Sequence, residues 1–568
     1  MKIRSITFKE NHVYTAKRLR SIMVSKPYKF YRKSFFIPEL LEQDCSTIEL
    51  FYRQQGYLDA AVVDTDISAD SLQLTVSISI TVKEGPQTRV EDVSILGNIN
   101  FSDDVLLSFI QMKPGDAFSM KAVEAANLAL LRFYAGHGYL EAVVQPDIVK
   151  RVDEQLAAIH FEINENQQFS IDQINVKGLG ITQPRIVERE LQFSTGEIIS
   201  YSNLVDSQRE LYMTGLFESV FITPQPPTSK EPNEKDVLVE VSENMPKELN
   251  VSLGYWTVEK LVARIEMMNT NISGSGKKMS ARASGSFIER SLEWSFTNQR
   301  IFDTRWGFDA NTFTKYNKHP GYQLYSSGFK LSVGRKLRNI FNMSISFLFE
   351  NGNLISAQST QSDEFESTRT RSLSLSIIRD MRDNIFDSKK GYYFDYSNEF
   401  SGKFLNSTTS HTRSNLNYRY FHSIAPLGVI ATDISIGWIF TRDGLETLPL
   451  NDRYYAGGPN SLRAFEYRRV GPLTPERIPT GGLVKLEWHI IELRRPIYKN
   501  LLGALFIDAG NVWERADQVT MSSIRVGFGG GLRINSPIGL LRFDCSLNPY
   551  PHYQEQRIKI YFSAGQAF

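Results

Sequence analysis

Residue types able to do chemistry are present, but not in catalytic arrangements. There is no HExxH, GxSxG or GxxxxGK[ST] motif, the 8 histidines are scattered, and no candidate nucleophile stands with a base. Cys45 and Cys545 are too far apart in sequence to suggest a disulfide framework or a zinc site. The run GFGGGLR, Gly527 to Arg533, is rich in glycine but lacks the GxGxxG register and is flanked by alternating strand residues. Its glycines are better read as letting a strand bend or pack against a neighbouring segment than as a phosphate cradle. A long polar loop, DRYYAGGPNSLRAFEYRRVGP (Asp452 to Pro472), contains a Gly457-Gly458-Pro459 turn and the run Ser461-Leu462-Arg463-Ala464-Phe465. The expectation is a protein that is not an enzyme and uses no cofactor, nucleotide or metal.

The elements that must position such a loop can be read from composition. At 568 residues the chain should hold several folded units. Lys and Arg total 64 against 63 Asp and Glu, a net charge of +1, which argues against binding nucleic acid by bulk charge. Mean hydropathy is −0.27 and no run approaches the roughly 20 apolar residues of a spanning helix. That excludes a helical membrane protein but not a transmembrane barrel, whose strands alternate polar and apolar residues. The N-terminus, MKIRSITF, has no apolar signal region, so the chain as given is expected to be mature, trimmed or cytosolic.

Texture changes near residue 245. All 6 tryptophans follow it, and 27 of the 37 glycines do. Before it, RQQGYLDAAVVDTDI, AGHGYLEAVVQPDIV and YMTGLFESVFITPQP align on Gly56, Gly138 and Gly215. Each is preceded by a helix-like stretch and followed by an alternating strand, so each unit reads as strand, helix, helix, strand, strand. The glycine ends the second helix, where positive φ is cheapest. Three α+β repeats are predicted, over residues 1–85, 86–166 and 167–245.

Residues 246–568 alternate strictly in many short segments, such as NMSISF (Asn342 to Phe347) and SLSLSI (Ser372 to Ile377). At about 10 residues per strand and a similar length per connection, this region holds about 16 antiparallel strands. A soluble array of β-sandwiches would also alternate. The aromatic content, with every tryptophan on this side, favours a membrane barrel with interfacial girdles.

The loop at 452–472, together with RDNIFDSKKGYYF (Arg382 to Phe394), IIELRRP (Ile490 to Pro496), FIDAGNVW (Phe506 to Trp513), GGGLRINSPIGLLRFD (Gly529 to Asp544) and a terminal strand ending in Phe568, resembles the Omp85 superfamily. The three repeats look like POTRA domains, so the resemblance covers essentially the whole chain. Within the superfamily, three such domains are most similar to the TamA branch. BamA-like proteins usually carry five, and a shortened BamA-like chain is the nearest alternative.

The resemblance implies an outer-membrane assembly factor that receives clients through periplasmic POTRA domains and inserts them through a lateral seam. The alternative is a two-partner-type pore secreting a soluble polypeptide through the lumen. Implied partners are nascent outer-membrane proteins or autotransporters, a TamB-like inner-membrane-anchored protein and membrane lipid, with no nucleic acid. Arg463 takes the family's role of lumen anchor, with Phe465, Gly457 and Gly458 beside it and Glu492 and Asp508 as its carboxylates. A guanidinium inside a barrel needs such acceptors to offset its desolvation. The seam falls on Val251 and Leu253 of the first strand and Ile558, Ile560, Phe562, Gly565 and Phe568 of the last. For the first POTRA domain the exposed edge is Ala61, Val62 and Val63, in a stretch without the prolines (Pro146, Pro224) that interrupt the other two edges. Where the family usually has Arg-Gly-Phe or Arg-Gly-Tyr, this chain has Arg463-Ala464-Phe465. If that turn needs positive φ, alanine costs roughly 1 kcal/mol, and the loop is expected either to turn differently or to be held more loosely.

Overall fold

The computed structural model describes all residues except 29–33, 152–153, 230, 338–339, 358–366, 386, 425–426, 443, 499, 537–538 and 565–568. The chain divides into two compact units, Met1–Leu179 with Glu190–Ser242, and Gly180–Arg189 with Glu243–Phe568.

Each N-terminal repeat follows the predicted order. The first contains β1 (Lys2–Lys9), α1 (Ala16–Ile22), α2 (Pro38–Gln54), β2 (Ala61–Asp70) and β3 (Thr75–Lys83). The second contains β4 (Arg89–Leu96), α3 (Asp103–Leu107), α4 (Met120–Gly136), β5 (Val143–Arg151) and β6 (Leu156–Asn164). The third contains β7 (Ser170–Lys177), α5 (Pro184–Glu188), α6 (Tyr201–Met213), β8 (Phe217–Gln225) and β9 (Glu234–Glu243). The sheets are ordered β1-β3-β2, β4-β6-β5 and β7-β9-β8, so β2, β5 and β8 each lie at an edge. The long helices bury one face at helical spacing: Leu41, Ile48 and Tyr52 on α2, and Val123, Ala126, Leu130 and Tyr134 on α4. In each case the strand at the centre of the sheet turns alternate residues into the core, as Val76, Ile78, Ile80 and Val82 do. Gly56, Gly138 and Gly215, which follow the long helices, have φ of 91°, 92° and 72°.

A carboxylate ending each third strand ties the repeats internally. Glu84 accepts the Tyr52 hydroxyl at 2.7 Å and the Val13 N–H at 3.0 Å. Glu165 accepts the Tyr134 hydroxyl at 2.9 Å and the N–H groups of Ile99 and Asn100 at 2.9 and 3.1 Å. Glu243 accepts the N–H groups of Gly180, Ile181 and Thr182. Burial opposes ionisation of Glu165, but the donors from Ile99 and Asn100 outweigh it and hold the carboxyl below its usual range.

The second unit is a nearly closed antiparallel barrel of 16 strands. It begins with β10 (Lys247–Trp256), β11 (Lys260–Asn269), β12 (Lys277–Gly285), β13 (Glu289–Asn298) and β14 (Trp306–His319). Next come β15 (Tyr322–Leu337), β16 (Phe341–Ala357), β17 (Ser367–Asp380), β18 (Gly391–Ser401) and β19 (His411–Ile424). The last six are β20 (Gly428–Thr441), β21 (Val484–Tyr498), β22 (Leu501–Trp513), β23 (Arg525–Ser536), β24 (Gly539–Leu547) and β25 (Ile558–Ala564). Alternation turns Leu373 and Leu375 outward, 42% and 38% exposed, while Ser372, next to Leu373 and on the opposite face, is fully buried. An outer surface of this kind, with exposed Trp294, Trp306 and Trp438, suits lipid rather than water. No described helix is long and apolar enough to cross a membrane.

Candidate functional site

Between β20 and β21 the chain folds inward, and the residues singled out on that loop meet strand side chains. Arg463 is fully buried. Its Nε and Nη2 donate to the two oxygens of Asp508 at 2.8 and 2.6 Å, and its backbone N–H donates to Oδ2 at 3.1 Å. Nη1 donates to Glu492. The guanidinium also lies 3.5 Å from the centroid of the Phe506 ring. This is a bidentate, stacked arrangement that lysine cannot reproduce.

A β-bulge brings the acceptors to one face. Register along β21 shifts between His489 and Ile491, so His489 and Glu492 both face inward although they are an odd number of residues apart. His489 Nδ1 lies 2.8 Å from Asp508, and Arg494 Nε donates to Glu492 at 2.9 Å. Two arginines not anticipated from the sequence complete the cluster. Arg533 Nη1 donates to Asp544 at 2.6 Å, and Arg542 Nη2 donates to the Pro459 carbonyl at 2.9 Å and to Asn460 at 2.8 Å. They are opposed directly across β23 and β24, where two like charges would repel without Asp544 between them.

The remaining loop residues set its shape. Gly457 and Gly458 have φ of 104° and 112°, and the Gly457 N–H donates to Ser461 at 2.9 Å. Phe465 is buried, with the Arg525 guanidinium 4.4 Å from its ring. Ala464 does not adopt positive φ, so the expected strain is absent. Its methyl instead packs on Gly527, where an added Cβ would stand 2.2 Å from the Ala464 Cβ. One glycine of the GFGGGLR run thus provides room for the side chain that replaces the family's usual glycine.

At the seam, the sheet starts at β10 and ends at β25, and these two strands form no ladder among the described residues. They meet at Thr257, just beyond β10. Its N–H donates to the Phe562 carbonyl at 3.1 Å, and its hydroxyl accepts the Phe562 N–H at 2.7 Å. A threonine side chain therefore stands in for a backbone partner. Val251 and Leu253 pair with Ile265 and Ala263 of β11 and expose 65% and 75% of their surface outward. Ile558 and Ile560 are similarly exposed, each at 57%. The contact thus falls on Thr257 rather than on Val251 or Leu253. Gly565 and Phe568 lie outside the described residues.

The inner face of β25 holds the loop. Tyr561 donates its hydroxyl to the Phe465 carbonyl at 2.7 Å, Lys559 pairs with Glu466 at 2.8 Å, and Ser546 of β24 donates to the Arg463 carbonyl at 2.6 Å. Alternation separates Lys559, Tyr561 and Ser563 from Ile558, Ile560 and Phe562, but nothing in the sequence indicates what either face touches.

In the first POTRA domain, Ala61, Val62 and Val63 do begin the edge strand β2. The Val62 N–H is taken by Glu49 at 2.9 Å, and the register shifts between Val62 and Asp64, so Val63 sits in a bulge. Both features blunt that end of the edge. The regular edge runs from Asp64 to Asp70.

Comparison with known proteins places this geometry. The Omp85 superfamily domain matches residues 271–568, and the POTRA family, described as a surface antigen variable number repeat, matches residues 1–85, 88–166 and 169–244. The outer membrane protein assembly factor BamA of Nitratidesulfovibrio vulgaris is 24% identical over 543 residues, covering 93% of this chain and 68% of that protein. BamA of Neorickettsia risticii is 25% identical over 574 residues, covering 96% and 75%. These relatives carry the BamA name rather than the TamA name that the domain count suggested. In fold, the chain is similar to the crystal structure of BamA from Haemophilus ducreyi lacking POTRA domains 1–3, with a TM-score of 0.68 and 17% identity over 84% of this chain and 99% of that one. With its barrel matched by the superfamily's own domain and its repeats by POTRA, this chain belongs to the Omp85 superfamily, an outer-membrane barrel whose POTRA domains lie in the periplasm.

Proposed function

We propose that this chain is an assembly factor that inserts outer-membrane proteins through the seam between β10 and β25. The observation that carries the reading is that these strands form no ladder among the described residues, with a bonded contact at Thr257 and Phe562. A closed barrel has no free strand edge. Here the edges of β10 and β25 lack regular pairing among the described residues, so a client strand can add by β-augmentation once the latch parts. Strand pairing and burial of apolar surface in lipid would drive the step, without a nucleotide or metal. The relatives' name, assembly factor, supports the same reading.

The buried loop favours insertion over secretion through the lumen. Arg463, Leu462 and Phe465 are fixed inside the barrel, so a polypeptide crossing there would first have to break the charge cluster. The POTRA domains would hand clients to the barrel. The regular edge of β2 beyond Asp64 would dock an extended segment of an inner-membrane-anchored, TamB-like partner. A proline at Asp66 or at Ile67 tests that docking, because the N–H of one of two successive edge residues points away from β3.

The test of the main reading is reconstitution. The full chain in liposomes should accelerate folding of a urea-denatured outer-membrane barrel over protein-free liposomes. Equal rates would remove the proposal, and release of a soluble polypeptide without client folding would favour the secretion pore.

A further inference from the structure

Because β10 starts where the chain leaves the N-terminal domains and successive strands alternate in direction, the periplasmic end of the barrel holds the starts of β14, β16 and β18 and the ends of β15 and β17. The pleat sets Leu331, Val333 and Arg335 on the outer side of β15, and Leu373, Leu375 and Arg379 on the outer side of β17. The aliphatic members of both rows are exposed, as lipid-facing residues are. Each row thus carries an arginine near its periplasmic end, followed on β15 by the exposed Leu337.

Both arginines have aromatic neighbours. Arg335 is opposite Trp306 in the ladder, with its guanidinium 5.9 Å from that ring. Arg379 stands between Phe341 at 5.1 Å and Tyr392 at 5.2 Å. Neither guanidinium pairs with a carboxylate among the described residues, and the buried Nε of Arg379 has no hydrogen-bond partner. The lumen arginines differ, since Arg463, Arg494, Arg533 and Arg542 each lie beside a carboxylate.

A cation facing lipid at the bilayer boundary, with no protein counter-charge, is stabilised when a headgroup phosphate supplies one. Guanidinium suits a phosphodiester because it offers several N–H donors in one plane. Rings flanking it settle at the same depth. We propose that Arg335 and Arg379, framed by Trp306, Phe341 and Tyr392, form a binding site for anionic phospholipid headgroups of the periplasmic leaflet. The patch lies mid-way in the strand order, whereas the seam joins the first strand to the last. Lipid held there grips the side of the barrel away from the seam. The proposal rests on the outer-membrane location and not on insertion through the seam.

The test is lipid retention by the full chain in detergent, read by native mass spectrometry with phosphatidylglycerol and phosphatidylcholine of matched tails. The natural chain should retain phosphatidylglycerol preferentially. Arg335→Gln with Arg379→Gln should reduce that preference by about tenfold or more, and the paired lysine variants should keep most of it. Heat-modifiable gel migration reports whether each barrel is folded, and if the double variant is not, either single glutamine variant should lose part of the preference. Equal retention of the two lipids by the natural chain, or an unchanged preference in folded glutamine variants, overturns the site. Displacement of the lipid by an equal concentration of inorganic phosphate also overturns it, since that marks a bare anion site.

Discussion

Tyr561, on the inner face of the last strand, donates its hydroxyl to the carbonyl of Phe465, two residues beyond the lumen arginine. Phe562, the next residue along, bonds to Thr257 across the seam. The loop and the seam therefore share one short stretch of β25, and displacing the first removes support from the second.

Tyr561→Phe keeps the ring and removes that bond, leaving a buried carbonyl without the hydroxyl. A loss of about 1 kcal/mol is expected at this contact. Amide exchange in residues 558–564 should quicken while exchange in the POTRA domains stays unchanged.

Arg463→Ala should be the most damaging single change in the loop, because it leaves Glu492 and Asp508 buried with much of their counter-charge removed. Breaking a buried pair in this way costs about 3–5 kcal/mol. Arg463→Lys should recover only part of it, since an ammonium cannot span Asp508 bidentately or stack on Phe506. Limited proteolysis of the segment between β20 and β21 in the folded barrel is the readout, with cleavage rising in the order natural chain, lysine, alanine.

The contact of Ala464 with Gly527 predicts a compensating pair. Gly527→Ala should overpack the site, typically by about 1–3 kcal/mol. Ala464→Gly in the same chain should restore most of the loss. A double-mutant cycle on barrel unfolding should show strong coupling, and additive effects would separate the two positions.

In the second POTRA domain the Glu165 carboxyl is held below its usual range by the N–H groups of Ile99 and Asn100, despite burial. Its contribution to stability is therefore complete above the unfolded-state value and fades as pH falls through the lower folded-state value. Glu165→Gln should destabilise the domain at neutral pH and remove the part of its stability that is lost as pH falls below the usual glutamate range. Hydrogen exchange in residues 88–166 of the full chain, followed against denaturant and pH, checks both effects.

The fold could be read from the chain because both architectures mark themselves locally. Gly56, Gly138 and Gly215 set the repeat, and period-two segments such as SLSLSI set the barrel. Arg463, Glu492 and Asp508 were named through family resemblance, and they meet in the lumen. What could not be read depends on register. The bulge after His489 decides that His489 and Glu492 share a face, and strand pairing alone opposes Arg533 to Arg542. Thr257 was missed because it follows a strand end and acts through its side chain as a substitute for backbone. The fit of Ala464 against Gly527 needed the position of both chains in space.

Insertion as proposed requires that the seam between β10 and β25 open for the client. Its most direct test replaces Thr257 and Phe562 with cysteine, with Cys45 and Cys545 changed to serine, and measures client insertion in reconstituted liposomes before and after oxidation. Oxidation should stop insertion while the barrel stays folded, and reduction should restore it. Insertion at an undiminished rate with the disulfide formed would rule out opening at this seam.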